Sequence, residues 1–336
     1  MLRLSVLMMK TSGFMRSCFN YFVIMSALTS FSAALFAGEI QIPELETHLK
    51  QHVSTLSHTI GERNYLFYAA LEKTRLYISE QLKSFGYNVT LETYQIEGKD
   101  FSNIIAVKKG MSSPDKVIIV GAHYDTVVGS PGADDNASGV AGLLELARLF
   151  SAREVDTTIK FIAFVNEEPP FFLTNTMGSR VYADAAIKRQ EKIIAMLSLE
   201  MLGYYNKEKN SQTYPLFLGF FYPPTANFIT LVSNLASMPL LNRLKKSFMK
   251  NSSFPVETLA APAFVTGVDW SDHSSFWHYG YKAVMVTDTS FYRYAHYHSA
   301  SDTHEKLDYH SMSEVVAGLY YSVLELASEA ALPRKK

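Results

Sequence analysis

The chain has 336 residues, of which 48% are hydrophobic, and a formal net charge of -1. This length allows one large domain or two modest ones, and the composition permits a large core. The balanced charge argues against nucleic acid as a partner, and the single cysteine, Cys18, rules out an internal disulfide.

Residues 1–37 differ from the rest. Arg3, Lys10 and Arg16 supply positive charge, and no acid precedes Glu39. From residue 19 the chain is mostly apolar and small, ending Ser32-Ala33-Ala34-Leu35-Phe36-Ala37. The pattern predicts a signal peptide, cleaved after Ala34 or Ala37, and a secreted or periplasmic mature protein. The alternative is an uncleaved membrane anchor facing outside the cytoplasm, because a segment of this length nearly spans a bilayer. Residues 38–336 read as a single domain.

Residues 39–62 are polar and irregular in pattern. Residues 64–85 read as an amphipathic helix, with Leu66, Ala69, Ala70, Leu76, Ile78 and Leu82 at helical spacing and Gly86 as the stop. Residues 89–94 and 102–107 alternate as strands. Residues 117–120 are continuously apolar and β-branched, as a strand covered on both faces requires. A helix over 140–150, a strand over 158–165, a helix over 182–187 and a strand over 193–199 follow. A late strand at 283–286 and a long helix over 311–331 close the chain. This alternation predicts a three-layer α/β/α sandwich around a mixed, mostly parallel sheet. Residues 204–268 read as an insert over the sheet's carboxyl edge, with helices over 227–236 and 240–249. Its aromatic run, residues 214–222, suggests an apolar pocket wall.

The chemistry sits where apolar runs end. Gly121-Ala122-His123-Tyr124-Asp125 follows the first, with Gly132-Ala133-Asp134-Asp135-Asn136-Ala137-Ser138-Gly139 close behind. Glu167-Glu168 ends the next run, Glu200 the one after, and His298 lies in Tyr297-His298-Ser299-Ala300-Ser301-Asp302-Thr303. Ligands in open α/β sheets gather at the carboxyl ends of strands. Imidazole and carboxylate groups collected there describe a hydrolytic metal site, with zinc the leading candidate. Asp125 is placed to fix the His123 tautomer. Asp134 is suited to bridge two cations. Of the adjacent Glu167 and Glu168, one can bind metal while the other activates water. His296 and His298 are both candidates, and spacing alone does not choose between them.

These motifs together resemble the di-zinc exopeptidase family that contains secreted bacterial leucyl aminopeptidases and glutamate carboxypeptidase, a scaffold shared by glutaminyl cyclases. The resemblance implies two zinc ions held by His123, Asp134, Glu168, Glu200 and His298, with Asp134 bridging. It implies Glu167 as general base, Asp125 and Asp135 beside the ligands, and a cis peptide between Asp134 and Asp135. Asp272 and His273, in Ser271-Asp272-His273, and Tyr297 are implied near the substrate or the ligands. Two departures stand out: Glu200 replaces the family's usual aspartate, and residues 169–177 intervene before Gly178-Ser179. The implied activity is hydrolysis of terminal peptide bonds, foremost as an aminopeptidase. The alternatives are a glutaminyl cyclase using one zinc, a metallocarboxypeptidase, or a non-catalytic receptor-like domain, and cobalt or manganese can occupy such ligands. The expected partner is a peptide or aminoacyl substrate, with membrane contact only through an uncleaved leader.

Overall fold

A computed structural model describes residues 40–215 and 217–329, so the leader expected at 1–37 lies outside the described residues. The strands are β1 (Val89–Ile96), β2 (Lys99–Lys108), β3 (Ser113–His123), β4 (Thr157–Phe164), β5 (Lys192–Glu200), β6 (Ile229–Ser233), β7 (Val256–Ala260) and β8 (Ala283–Thr287). They form one sheet in the order β1-β2-β4-β3-β5-β8-β6-β7. The central strands β4, β3, β5 and β8 are mutually parallel. The pairings β1–β2, β2–β4 and β8–β6 are antiparallel, while β6–β7 is parallel.

The helices are α1 (Ile42–Ser54), α2 (Tyr68–Ser84), α3 (Gly139–Ser151), α4 (Gly178–Lys188), α5 (Met238–Asn251), α6 (His273–His278) and α7 (Tyr309–Glu329). Helices α1, α3, α5 and α7 pack against one another, and α4 packs against α6. The sheet lies between these two layers. On the α4–α6 side, Ile119, Ile162, Phe164 and Met196 meet Tyr182, Ala183 and Phe276 in one core cluster. The alternate residues Ile118 and Val120 are equally buried. Burying each such side chain stabilises the fold by roughly 1.5–3 kcal/mol, and strands covered on both faces need the uninterrupted apolar runs seen here.

Three elements differ from the sequence reading. Helix α1 occupies a stretch read as irregular. Its Leu45, Leu49 and Val53 are fully buried at helical spacing, but His48 and His52 interrupt the pattern. Those histidines face the buried Glu145 of α3, at 3.2 and 3.4 Å. Residues 227–236, expected as helix, contain strand β6, whose five residues are all buried. A run that short does not separate a buried strand from a helix by periodicity. The insert also does more than cover the sheet edge, because β6 and β7 extend the sheet itself.

Candidate metal centre

Because β3, β4 and β5 are parallel, their carboxyl ends open on one edge. His123 is the last residue of β3 and Glu200 the last of β5, while Glu167 and Glu168 follow β4. Asp125 ties two of these ends together. Its carboxylate accepts the backbone N–H groups of Glu167 and Glu168, both at 3.1 Å. Its Oδ1 also lies 3.6 Å from His123 Nδ1, and that nitrogen is 3.2 Å from the Asp125 carbonyl oxygen. The ring is thereby oriented with Nε2 toward the cluster, the role expected of Asp125.

The place expected for Asp134, between the two histidines, is taken by its neighbour. Asp134 is turned away from the histidines, and its Oδ1 accepts the Gly203 N–H at 2.9 Å. Asp135 stands there instead. Its Oδ1 is 3.3 Å from His123 Nε2, and its Oδ2 is 3.1 Å from His298 Nε2. The cis peptide correspondingly joins Asp135 to Asn136, one bond later than expected.

Backbone anchors explain this register. Asp302 accepts the N–H groups of Asp134 and Asp135, at 2.9 and 3.1 Å. Asn136 donates to the Leu199 carbonyl and accepts from the Gly139 and Met201 N–H groups. Gly132 begins the turn at φ 60°, where an added Cβ would strike the Asp135 carbonyl oxygen. Only glycine satisfies both constraints.

Around this core, Glu200 Oε2 lies 3.4 Å from His123 Nε2 and accepts the Ser271 hydroxyl at 2.7 Å. Glu168 Oε1 lies 3.4 Å from His298 Nε2. Glu167 Oε2 is 3.9 Å from His123 Nε2. The Tyr297 ring stacks on His298 with centroids 3.7 Å apart. His296 is held by the Ser301 hydroxyl at 2.8 Å, so geometry selects His298. Asp272 is fully buried, and burial pushes its carboxyl up to about 7. His273 does not join the cluster: its Nε2 is 2.8 Å from the Val268 carbonyl oxygen and its ring meets Trp277.

Two supporting residues escaped the sequence reading. Arg63 is completely buried and donates to the carbonyl oxygens of Tyr124, Pro131 and Gly132. Burial lowers its pKa to about 10. No pattern around Arg63 signals this role. Asp302 was visible within the His298 motif but gave no sign that it would hold the distant 134–135 loop.

The donors fit divalent cations. His123 Nε2, Asp135 Oδ1 and Glu168 Oε1 are buried without a hydrogen-bond partner, although buried polar atoms are normally satisfied. Ligand atoms lie within 4.8 Å of one another in the sets His123–Asp135–Glu200, Asp135–Glu168–His298 and His123–Glu167–Glu168. Ionisation of so many carboxyls is resisted without a cation. Burial raises Glu167 and Glu200, and it takes Glu168 to about 7 with help from Asp135. Burial opposes the charge of Asp135 too, but His123 and His298 hold its pKa well below the usual carboxylate range. A bound cation inverts this local balance by stabilising every carboxylate at once.

Residues 103–323 match the family model described as Peptidase family M28. The chain is 38% identical over 280 residues to the uncharacterized protein YfbL of Escherichia coli, covering 81% of this chain and 85% of that one. It is 37% identical over 128 residues to the aminopeptidase YwaD of Bacillus subtilis, a match covering 37% of this chain but only 27% of that one. Among solved structures, the zinc aminopeptidase BSAP of Bacillus subtilis aligns with a TM-score of 0.68 at 17% identity, over 86% of this chain and 97% of that one. A glutaminyl cyclase of Fimbriiglobus ruber aligns at 0.63 and 19% identity, over 83% and 94%; at such identities the likeness is one of fold. The family model spans well over half of the sequence, and the chain therefore belongs to peptidase family M28.

Proposed function

We propose that the chain is a zinc-dependent aminopeptidase with two metal ions. His123, Asp135 and Glu200 would hold one ion, and Asp135, Glu168 and His298 the other. The observation that carries this reading is Asp135, whose two oxygens each face a different histidine, at 3.3 and 3.1 Å. A relative named as an aminopeptidase and a fold neighbour named as a zinc aminopeptidase agree with it.

Bound zinc supplies Lewis-acid polarisation of the scissile carbonyl and lowers the pKa of a coordinated water. The remaining chemistry falls to the chain. Glu167 precedes the ligand Glu168 and belongs to neither triad around Asp135, so its carboxylate is free to take a proton from the attacking water. It then returns that proton to the leaving amine nitrogen. Asp125 positions both partners, since it grips the backbone of Glu167 and orients His123.

Aminoacyl anilides, carboxy-terminal peptides and amino-terminal glutaminyl peptides, offered in parallel, test the reading. Release of the amino-terminal residue, abolished by chelation and restored by zinc, is expected. Cyclisation of glutaminyl peptides without aminoacyl hydrolysis would replace it with the cyclase reading. We further propose export through the leader, on its basic start and apolar run. Among the described residues no helix is long and apolar enough to cross a membrane. Sequencing of the exported protein should begin between Leu35 and Ile40. An intact Met1 on a membrane-bound product would favour the anchor.

A further inference from the structure

Beside the metal centre, with Glu200 and Tyr297 in its lining, lies a cavity that opens to solvent. Strand register sets its floor. Glu200 on β5 pairs with Thr287 on β8, Thr287 with Thr230 on β6, and Thr230 with Glu257 on β7. Residues directly opposite one another project from the same face of a sheet. These four therefore form a row, and all four line the cavity. The row spans three interstrand spacings, roughly 14 Å from the metal ligand Glu200 to the edge strand. Above it the walls are apolar and aromatic, from Tyr214, Leu218, Tyr222, Phe228, Phe291 and Tyr292.

The end remote from the metals is different. Glu257 is half-buried, and it has neither an ion pair nor a hydrogen bond among the described residues. The Thr230 hydroxyl is buried there without a partner as well. The rings of Tyr214 and Tyr222 stack 5.7 Å apart, their hydroxyls already donating to the carbonyl oxygens of Pro223 and Thr258. Glu257 lines the cavity together with both rings; burial raises both phenols, Arg293 opposes this at Tyr214, and the Glu257 charge adds to it at both. Neither nearby cation pairs with Glu257: Lys245 donates to the Thr258 hydroxyl, and Arg293, whose strongest charge partner is Asp288, donates to Gln212 Oε1 at 2.8 Å and the Phe228 carbonyl at 2.9 Å.

An aliphatic or aromatic side chain filling this cavity would strip water from Glu257 without replacing it, which is costly for a charged group. A cation on a long stem avoids that cost. Its methylenes lie along the apolar walls. Its head meets a carboxylate, and aromatic faces also attract cations.

We propose that Glu257 makes this cavity selective for substrates whose amino-terminal residue is arginine or lysine. The inference rests on the aminopeptidase reading and adds its substrate class. Arginine and lysine extend furthest from the metal centre along the row toward Glu257, whose own side chain projects into the cavity.

The test compares arginyl, lysyl, leucyl and phenylalanyl amides on the zinc-loaded protein and on Glu257→Gln. In the native protein, kcat/KM for the basic amides should exceed that for leucyl by about tenfold or more. In Glu257→Gln the arginyl-to-leucyl ratio should fall by roughly 10–100-fold, the range for losing a charged hydrogen-bond partner. Equal zinc content and melting temperature establish that the variant is folded. Free L-arginine should also inhibit the native protein at lower concentration than L-leucine. A native preference for leucyl or phenylalanyl amides, or an unchanged ratio in the variant, overturns the selectivity while leaving the aminopeptidase reading intact. Failure to cleave any aminoacyl amide overturns both.

Discussion

At the scale of single residues, the account turns on which of two adjacent aspartates meets the metals. Asp135→Asn should strip metal from the centre, because the amide is uncharged and its nitrogen cannot replace the second carboxylate oxygen. Asp134→Asn should keep metal, since that side chain accepts from Gly203 and lies away from the histidines. Metal content of the two purified variants decides the matter, and the reverse result would restore Asp134 to the bridge. Glu167→Gln should retain metal yet lose about two orders of magnitude or more in turnover, as removal of a general base does. Unchanged turnover would remove Glu167 from the mechanism. Glu200 carries a longer arm than the aspartate usual in the resembling family, and coordination tolerates roughly ±0.2 Å about its preferred distance. Graded chelation should therefore release the ion at His123 and Glu200 before the ion at Glu168 and His298. Concerted loss of two equally bound ions would contradict this asymmetry.

At the scale of elements, the site depends on how loop 132–139 is held. Asp302 accepts two successive backbone N–H groups from that loop and the Tyr294 hydroxyl. Asp302→Ala leaves these three buried donors unsatisfied, which should cost roughly 3–9 kcal/mol of stability, read from denaturant melts. A change below about 0.5 kcal/mol, the scale of an ordinary surface substitution, would show that the loop does not rely on this anchor. How far such features are legible in sequence depends on their origin. The strand-end positions of His123, Glu167, Glu168 and Glu200 follow from apolar runs, which periodicity reports directly. The choice between Asp134 and Asp135 does not, because it depends on backbone anchoring by Asp302, more than 160 residues away. Helix α1 was hidden for a related reason: the histidines that break its apolar pattern are satisfied by Glu145 on another helix. Strand β6 was hidden because five buried residues carry too little period.

At the scale of the whole molecule, layers, sheet and metal centre depend on one another. Glu145 joins α1 to α3 and is buried against His52 and Arg148. Burial works against its charge, but the attraction of His52 and Arg148 prevails and its pKa is lowered from 4.5. A carboxyl with a depressed folded pKa stabilises above its unfolded pKa and loses that contribution as pH falls through the folded one. Acid should therefore loosen the α1–α3 contact below about pH 4.5, and Glu145→Gln should flatten that limb of the stability profile. An identical acid limb in the variant would assign the loss elsewhere. Metal should stabilise the fold as any ligand of the native state does, by about 4 kcal/mol at a thousandfold excess over its dissociation constant. The central claim is the two-metal centre built around Asp135. Its most direct test is the zinc content per chain of the purified mature protein after saturation and removal of free metal. Two zinc ions per chain are predicted; a single ion at saturation would contradict the bridged centre and favour single-zinc chemistry.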